Sequence, residues 1–234
     1  MMPVSIACCA RSLIFVAAFP TLLGCASTLY VAEPISARVV DASTSEPIQG
    51  AIVVANWQLV EGSFDGPRSR GQLEVKETVT DSSGAFHFEG FAKKSPYELR
   101  EEDPKVIVFK QGYRYKKFIN QYPKAGTGIP SGPRKAAVNG RTVKLEKYAG
   151  DYGLNDRPYS GIEVELDDVI ETCAWKKMPL LMSALDEEVR RLGSDHPNAV
   201  MTLPTIEMLD GYKSKCGSAI DFFRNGHGNS EGGQ

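Results

Sequence analysis

The sequence predicts a mainly β protein with α: an N-terminal antiparallel, seven-stranded-type Greek-key β-sandwich over residues 34–148, followed by a small disulfide-linked helical extension over residues 149–226. Three observations predict it. Short runs rich in β-branched and aromatic residues recur between turn signals through residue 148, with no helical pattern between them. Beyond the Gly- and Pro-rich stretch 150–158 the apolar period lengthens to that of a helix. Two cysteines, Cys173 and Cys216, lie in that second part.

Before the sandwich, residues 12–23 (SLIFVAAFPTLL) form an apolar run preceded by Arg11, the only charge in the first 32 residues. That is the pattern of a signal peptide. The run is interrupted by Pro20, and a bilayer span needs roughly 20 apolar residues, so a permanent transmembrane helix fits less well. The run ends in Leu22-Leu23-Gly24-Cys25, which resembles the lipobox of bacterial lipoproteins. The resemblance implies cleavage after residue 24, membrane lipid carried through Cys25, and, with Ala26 rather than aspartate next, sorting to the outer membrane. An ordinary signal peptide cleaved near Ala26 is the alternative. Residues 25–33 are expected to be a tether.

In the sandwich, Ile35, Ala37 and Val39 alternate with Ser36 and Arg38, the period of a strand with one buried face. Residues 41–47 (DASTSEP) are a turn-rich loop and 48–60 (IQGAIVVANWQLV) a second strand. Residues 73–80 give a third, closed by the turn chemistry of Asp81 to Gly84. Phe86 and Phe88 are expected to point inward, with His87 a solvent-facing strand residue. Residues 106–109, 113–119 and 142–147 supply three more strands, the first two joined by Lys110-Gln111-Gly112.

Segments 37–41 (ARVVD), 46–51 (EPIQGA), 80–86 (TDSSGAF) and 110–113 (KQGY) resemble, in that order, the signature of carboxypeptidase regulatory-like domains. The resemblance covers roughly half of the mature chain and implies a transthyretin-type, prealbumin-like β-sandwich acting as a non-catalytic module. It departs at 58–70, read as a lengthened connection. Transthyretin-like hydrolases share that fold, but their paired histidines and C-terminal Tyr-Arg-Gly-Ser have no counterpart here. Nothing elsewhere supplies a G-x-S-x-G elbow, a phosphate-cradling glycine loop or an H-E-x-x-H helix. No catalytic residue and no cofactor are therefore expected.

In the extension, Ser160 and Glu163 fit a capping box opening a helix on which Leu166, Val169, Ile170 and Cys173 share a face. After Pro179, the stripe Leu181, Leu185, Val189, Leu192 marks a second helix with Asp186, Glu187, Arg190 and Arg191 outside. A third starts near Pro204 and carries Leu209, Tyr212, Cys216, Ile220 and Phe223 on one face. Trp175 is expected in the core, and residues 227–234 form a glycine-rich, disordered tail. Cys8 and Cys9 leave with the signal peptide and Cys25 takes lipid. Cys173 and Cys216 then remain in an oxidising compartment, where a disulfide is the expected state; two buried free thiols are the alternative. No metal site is expected, because no His or Cys sits at ligand spacing.

The chain has 27 basic and 29 acidic residues, so global charge does not point to nucleic acid. The charge is uneven: residues 110–147 hold ten Lys or Arg and one acid, while 148–234 hold 15 acidic and 8 basic residues. The plainest explanation is that one segment lies against the other or that each is a solvated face. A sharper one makes Lys110, Arg114, Lys116 and Lys117, interleaved with Tyr113 and Tyr115, a site for an anionic ligand. The functional expectation is a non-enzymatic envelope lipoprotein whose sandwich serves binding or assembly, with an envelope protein or polysaccharide as partner. The alternatives are a glycan- or anionic-polymer-binding protein using 110–147 and, third, a hydrolase.

Overall fold

A computed structural model describes residues 27–100, 102–120, 135–148 and 158–227. The expected signal peptide, the lipidation position Cys25 and the tail beyond 227 lie outside them. Among the described residues ten strands follow in order: β1 (Thr28–Ala32), β2 (Ile35–Asp41), β3 (Ile52–Glu61), β4 (Arg68–Val79), β5 (Ala85–Phe88), β6 (Phe91–Ser95), β7 (Glu98–Leu99), β8 (Lys105–Phe109), β9 (Lys116–Phe118) and β10 (Thr142–Leu145). They are arranged in three sheets, β1-β6, β10-β2-β5 and β4-β3-β8-β9, with β7 pairing the far end of β3. All pairs are antiparallel except β10 with β2, which is parallel. Period-2 patterning sets the faces of a strand but not the direction of its neighbour.

The two larger sheets enclose one core, built from Ile35 and Val39 of β2, Phe86 and Phe88 of β5, Val143 and Leu145 of β10, and Val53, Ala55 and Trp57 of β3. The turn into β5 is fixed by Asp81, whose Oδ1 accepts the backbone N–H groups of Ser83 and Ala85. Gly84 follows at φ 75, and a Cβ there would lie 2.3 Å from the Val39 carbonyl, so only glycine fits.

Among the described residues six α-helices follow: α1 (Ile162–Glu171), α2 (Pro179–Leu192), α3 (Pro197–Val200), α4 (Ile206–Asp210), α5 (Lys213–Cys216) and α6 (Ala219–Phe222), with a 3-10 turn at Ala174–Lys177. They cover the outer face of the five-stranded sheet. Val54, Val75, Ile107 and Phe109 pack with Tyr159, Leu166, Trp175, Leu181 and Leu185 in a second core. The molecule is thus layered sheet, sheet, helices. This explains why β3 and β8 read as nearly unbroken apolar runs: their alternate residues enter different cores.

Several local expectations are corrected. Residues 28–32, placed in a tether, form β1 and pair with β6 from Thr28↔Ser95 to Ala32↔Phe91. The connection expected at 58–70 is largely strand, because β3 and β4 continue as a long hairpin through two register shifts. Only Lys116–Phe118 of the strand expected at 113–119 is paired as one. The capping box does not form: Gly161, at φ 84, is the N-cap residue and no side chain caps α1. Cys173 is not on the α1 face but just past its end, in the left-handed region at φ 64. The expected third helix is broken into α4, α5 and α6, and Gly217 at φ 77 separates the last two. Asp186, placed outside α2, is buried, bonded to the Ile206 N–H and paired with Arg190.

The layers are tied by a buried carboxyl at one helix start. Glu77 of β4 accepts the N–H groups of Leu180 and Leu181 in the first turn of α2, where Pro179 sits at N1. Burial pushes the Glu77 carboxyl up from its ordinary 4.5 to about 7, against the pull of those two N–H bonds. The folded chain therefore keeps a proton that the unfolded chain releases. Its stabilising effect is complete below pH 4.5 and is lost as pH rises towards about 7. Unfolding free energies of wild type and Glu77→Gln, measured across that window, are expected to diverge by up to about 3 kcal/mol, with wild type losing more as pH rises. Parallel profiles would contradict this origin for the shift.

Candidate functional site

The six residues expected to bind an anionic ligand are mostly engaged within the molecule. Lys110 Nζ donates to the carbonyls of Gln49 at 2.9 Å and Gly50 at 3.2 Å, and burial lowers its pKa. Tyr113 Oη donates to Asp41 Oδ2 at 3.1 Å. Asp41 is held well below the ordinary carboxylate range by the Ser43 hydroxyl first, then by the Ser43 and Thr44 N–H groups. Arg114 lies over the Tyr148 ring, 4.8 Å from its centre. Tyr115 Oη donates to the Ser160 carbonyl at 3.0 Å, and its phenol is pushed up to about 12 by burial, then by Glu165 and Glu163. Lys117 pairs with Glu165. Lys116 alone of the six has no side-chain partner among the described residues.

Glu165 gathers two of these contacts. It sits on α1, 8 % exposed, and receives Lys105 Nζ at 2.7 Å as well as Lys117. Burial opposes its ionisation, but the bonds from the two lysines outweigh that and hold its pKa below the ordinary value. The basic segment and the acidic helix therefore meet each other here. Segment 110–117 braces the helical layer to the sheet.

An open surface lies on the other side of the molecule, where residues 36–38, 85–87 and 140–142 carry the outer face of β10-β2-β5. A groove of about 610 Å³ there is lined by Ser36, Arg38, Asp81, His87, Arg141 and Thr142, among others. Ser36 and His87 are direct cross-strand partners. Ser36 Oγ lies 2.7 Å from His87 Nδ1, and His87 Nε2 lies 3.1 Å from Glu89 Oε1. Arg38 Nε donates to the Ser83 carbonyl at 2.6 Å.

A hydroxyl, an imidazole and a carboxylate in a row invite comparison with nucleophilic catalysis, but the surroundings differ from what that chemistry requires. The Ser36 N–H is already given to Asn139 Oδ1 at 2.8 Å, so it is not free to hold a developing oxyanion. Glu89 is 83 % exposed, so water screens its pull on the imidazole. The arrangement suits hydrogen bonding and charge recognition on an open sheet face. His87 was legible as a solvent-facing strand residue. Its partnership with Ser36 was not, because it depends on the register of β2 against β5.

Cys173 and Cys216 form a disulfide, with their α-carbons 5.4 Å apart. It joins the segment just past α1 to the end of α5. Lys176 Nζ bonds the Cys216 carbonyl beside it. Among the described residues no helix is long and apolar enough to cross a membrane, and no three His, Cys, Asp or Glu side chains group as metal ligands.

Neither a protein-family model nor a curated protein matches the chain. Among solved structures it is similar to the group B streptococcus pilus 2b backbone protein, at 18% identity over 50% of this chain and 42% of that one, with a TM-score of 0.26. A streptococcal ancillary pilin matches at 16% identity over 50% and 30%, with a TM-score of 0.23. A 3-chlorocatechol 1,2-dioxygenase from Rhodococcus opacus 1CP matches at 16% identity over 53% and 61%, with a TM-score of 0.30. The chain spans less than half the length of either pilin. Likenesses this distant carry no argument about activity, and the fold described above rests on the chain's own strands and cores.

Proposed function

We propose that the chain is a lipid-anchored, non-catalytic module of the bacterial envelope, in which Cys25 carries the acyl chains and the β-sandwich is held at the outer membrane, on its periplasmic face or at the cell surface, for binding or assembly. The observation that carries this reading is the Cys173–Cys216 disulfide. Such bonds persist in oxidising compartments, which agrees with the exported fate implied by residues 12–25. The non-catalytic part is supported by the Ser36 surroundings, where the Ser36 N–H is committed to Asn139 and Glu89 stands open to water. The carboxypeptidase regulatory-like resemblance supports the same role.

Fractionation of cells making wild type or Cys25→Ser tests the anchor. Wild type is expected in the membrane and in the detergent phase, because each acyl chain adds about 0.8 kcal/mol per buried methylene. Cys25→Ser is expected to be uncleaved or soluble. Unchanged processing and partition would overturn the reading.

A further inference from the structure

The outer face of the β1-β6 ribbon is apolar and, among the described residues, uncovered. Strand side chains alternate between faces, and directly paired residues share one. Leu29↔Lys94 and Val31↔Ala92 are direct partners, so these four side chains project together. Leu29 is 56% exposed and Val31 49%, and Ala92 and Lys94 are exposed too. The other face of the ribbon is accounted for: Tyr30, Ala32 and Phe91 join the sandwich core, and Phe91 sits edge-on to Trp57 at 4.9 Å.

We infer that this face, Leu29, Val31, Ala92 and Lys94, rests on the surface of the lipid leaflet that holds Cys25. The inference builds on the lipid-anchor reading above and names the surface that the anchor brings down. Cys25 stands three residues before Thr28, the first residue of β1. At roughly 3.3–3.6 Å per residue, even a fully extended link keeps the start of β1 within about 11 Å of the acylated cysteine. Apolar side chains so tethered reach the boundary between headgroups and acyl chains, and the Lys94 stem follows them while its ammonium stays among headgroup phosphates. Glu33, next along the chain, has Lys135 Nζ 3.9 Å away to offset its charge.

The test uses the full acylated chain in vesicles of phosphatidylethanolamine with a minority of phosphatidylglycerol, made with and without bromine on the acyl chains. Leu29→Trp and Val31→Trp report depth, since both sites are exposed strand positions where tryptophan fits. The native Trp57 and Trp175 are buried and give a constant background. Ile220→Trp, an exposed position in the helical layer, is the control. Bromolipid is expected to quench the added emission at positions 29 and 31 and leave that at 220 unchanged. Acylated protein without quenching at either ribbon position overturns the inference and leaves the anchor standing. Unacylated protein removes both. Blue-shifted emission without bromolipid quenching, together with a dimer in sizing, would place a second copy on this face and also overturn it.

Discussion

Replacing Trp175 with alanine is expected to lower the unfolding free energy by about 3–5 kcal/mol, the range for emptying an aromatic site in a packed core. The indole is fully buried between the sheet and the helices. Phe222 stands edge-on to it at 5.3 Å, and Phe223 is stacked at 5.9 Å. These two rings come from the last helical turns, so the cavity would loosen the C-terminus as well as the interlayer core. Trp175→Phe is expected to cost far less, because it keeps most of the ring volume and removes a buried Nε1 that finds no acceptor among the described residues. Urea unfolding of the two variants separates the cases. Equal losses would mean that ring volume is not what matters at this position.

Losing the Cys173–Cys216 bond is expected to cost on the order of 4 kcal/mol, from the entropy regained when a loop with a separation of 43 residues is opened in the unfolded chain. The effect should be local. Neither cysteine lies in the sandwich, and the bond joins the α1 end to α5 in the layer that covers β3, β4 and β8. In Cys173→Ser, hydrogen exchange is expected to accelerate across 206–227 while the β2, β5 and β10 amides stay protected. Uniform acceleration would show that sheet and helices unfold as one unit.

The disulfide pair and the buried Trp175 were legible in the sequence, the first by elimination among five cysteines and the second by its place before Pro179. The placement of Cys173 was less so. Helical spacing puts it on the α1 face, but the helix ends at Glu171 and Cys173 turns into the left-handed region. Sandwich strands were found wherever one face is buried and alternation survives, as at 35–39 and 85–88. The helical layer's seat was written in β3 and β8, whose apolar runs lack alternation because both faces are covered. By composition the basic, tyrosine-rich segment read most plainly as lying against the acidic one or as a solvated face, with a ligand site as the sharper alternative. Geometry decides for the inward role at Lys117, where Glu165 of α1 waits. Strand β1 was missed because five residues beside an expected lipidation site look like linker until β6 is there to pair with them.

The lipid anchor proposed above makes Cys25 the acylated first residue of the mature protein. Mass spectrometry of the N-terminal peptide from membrane-purified protein tests it most directly. A peptide beginning at Cys25 with a diacylglyceryl group on its sulfur is expected. A mature chain beginning at Ala26, or a peptide in which Cys25 is internal and unmodified, would contradict it.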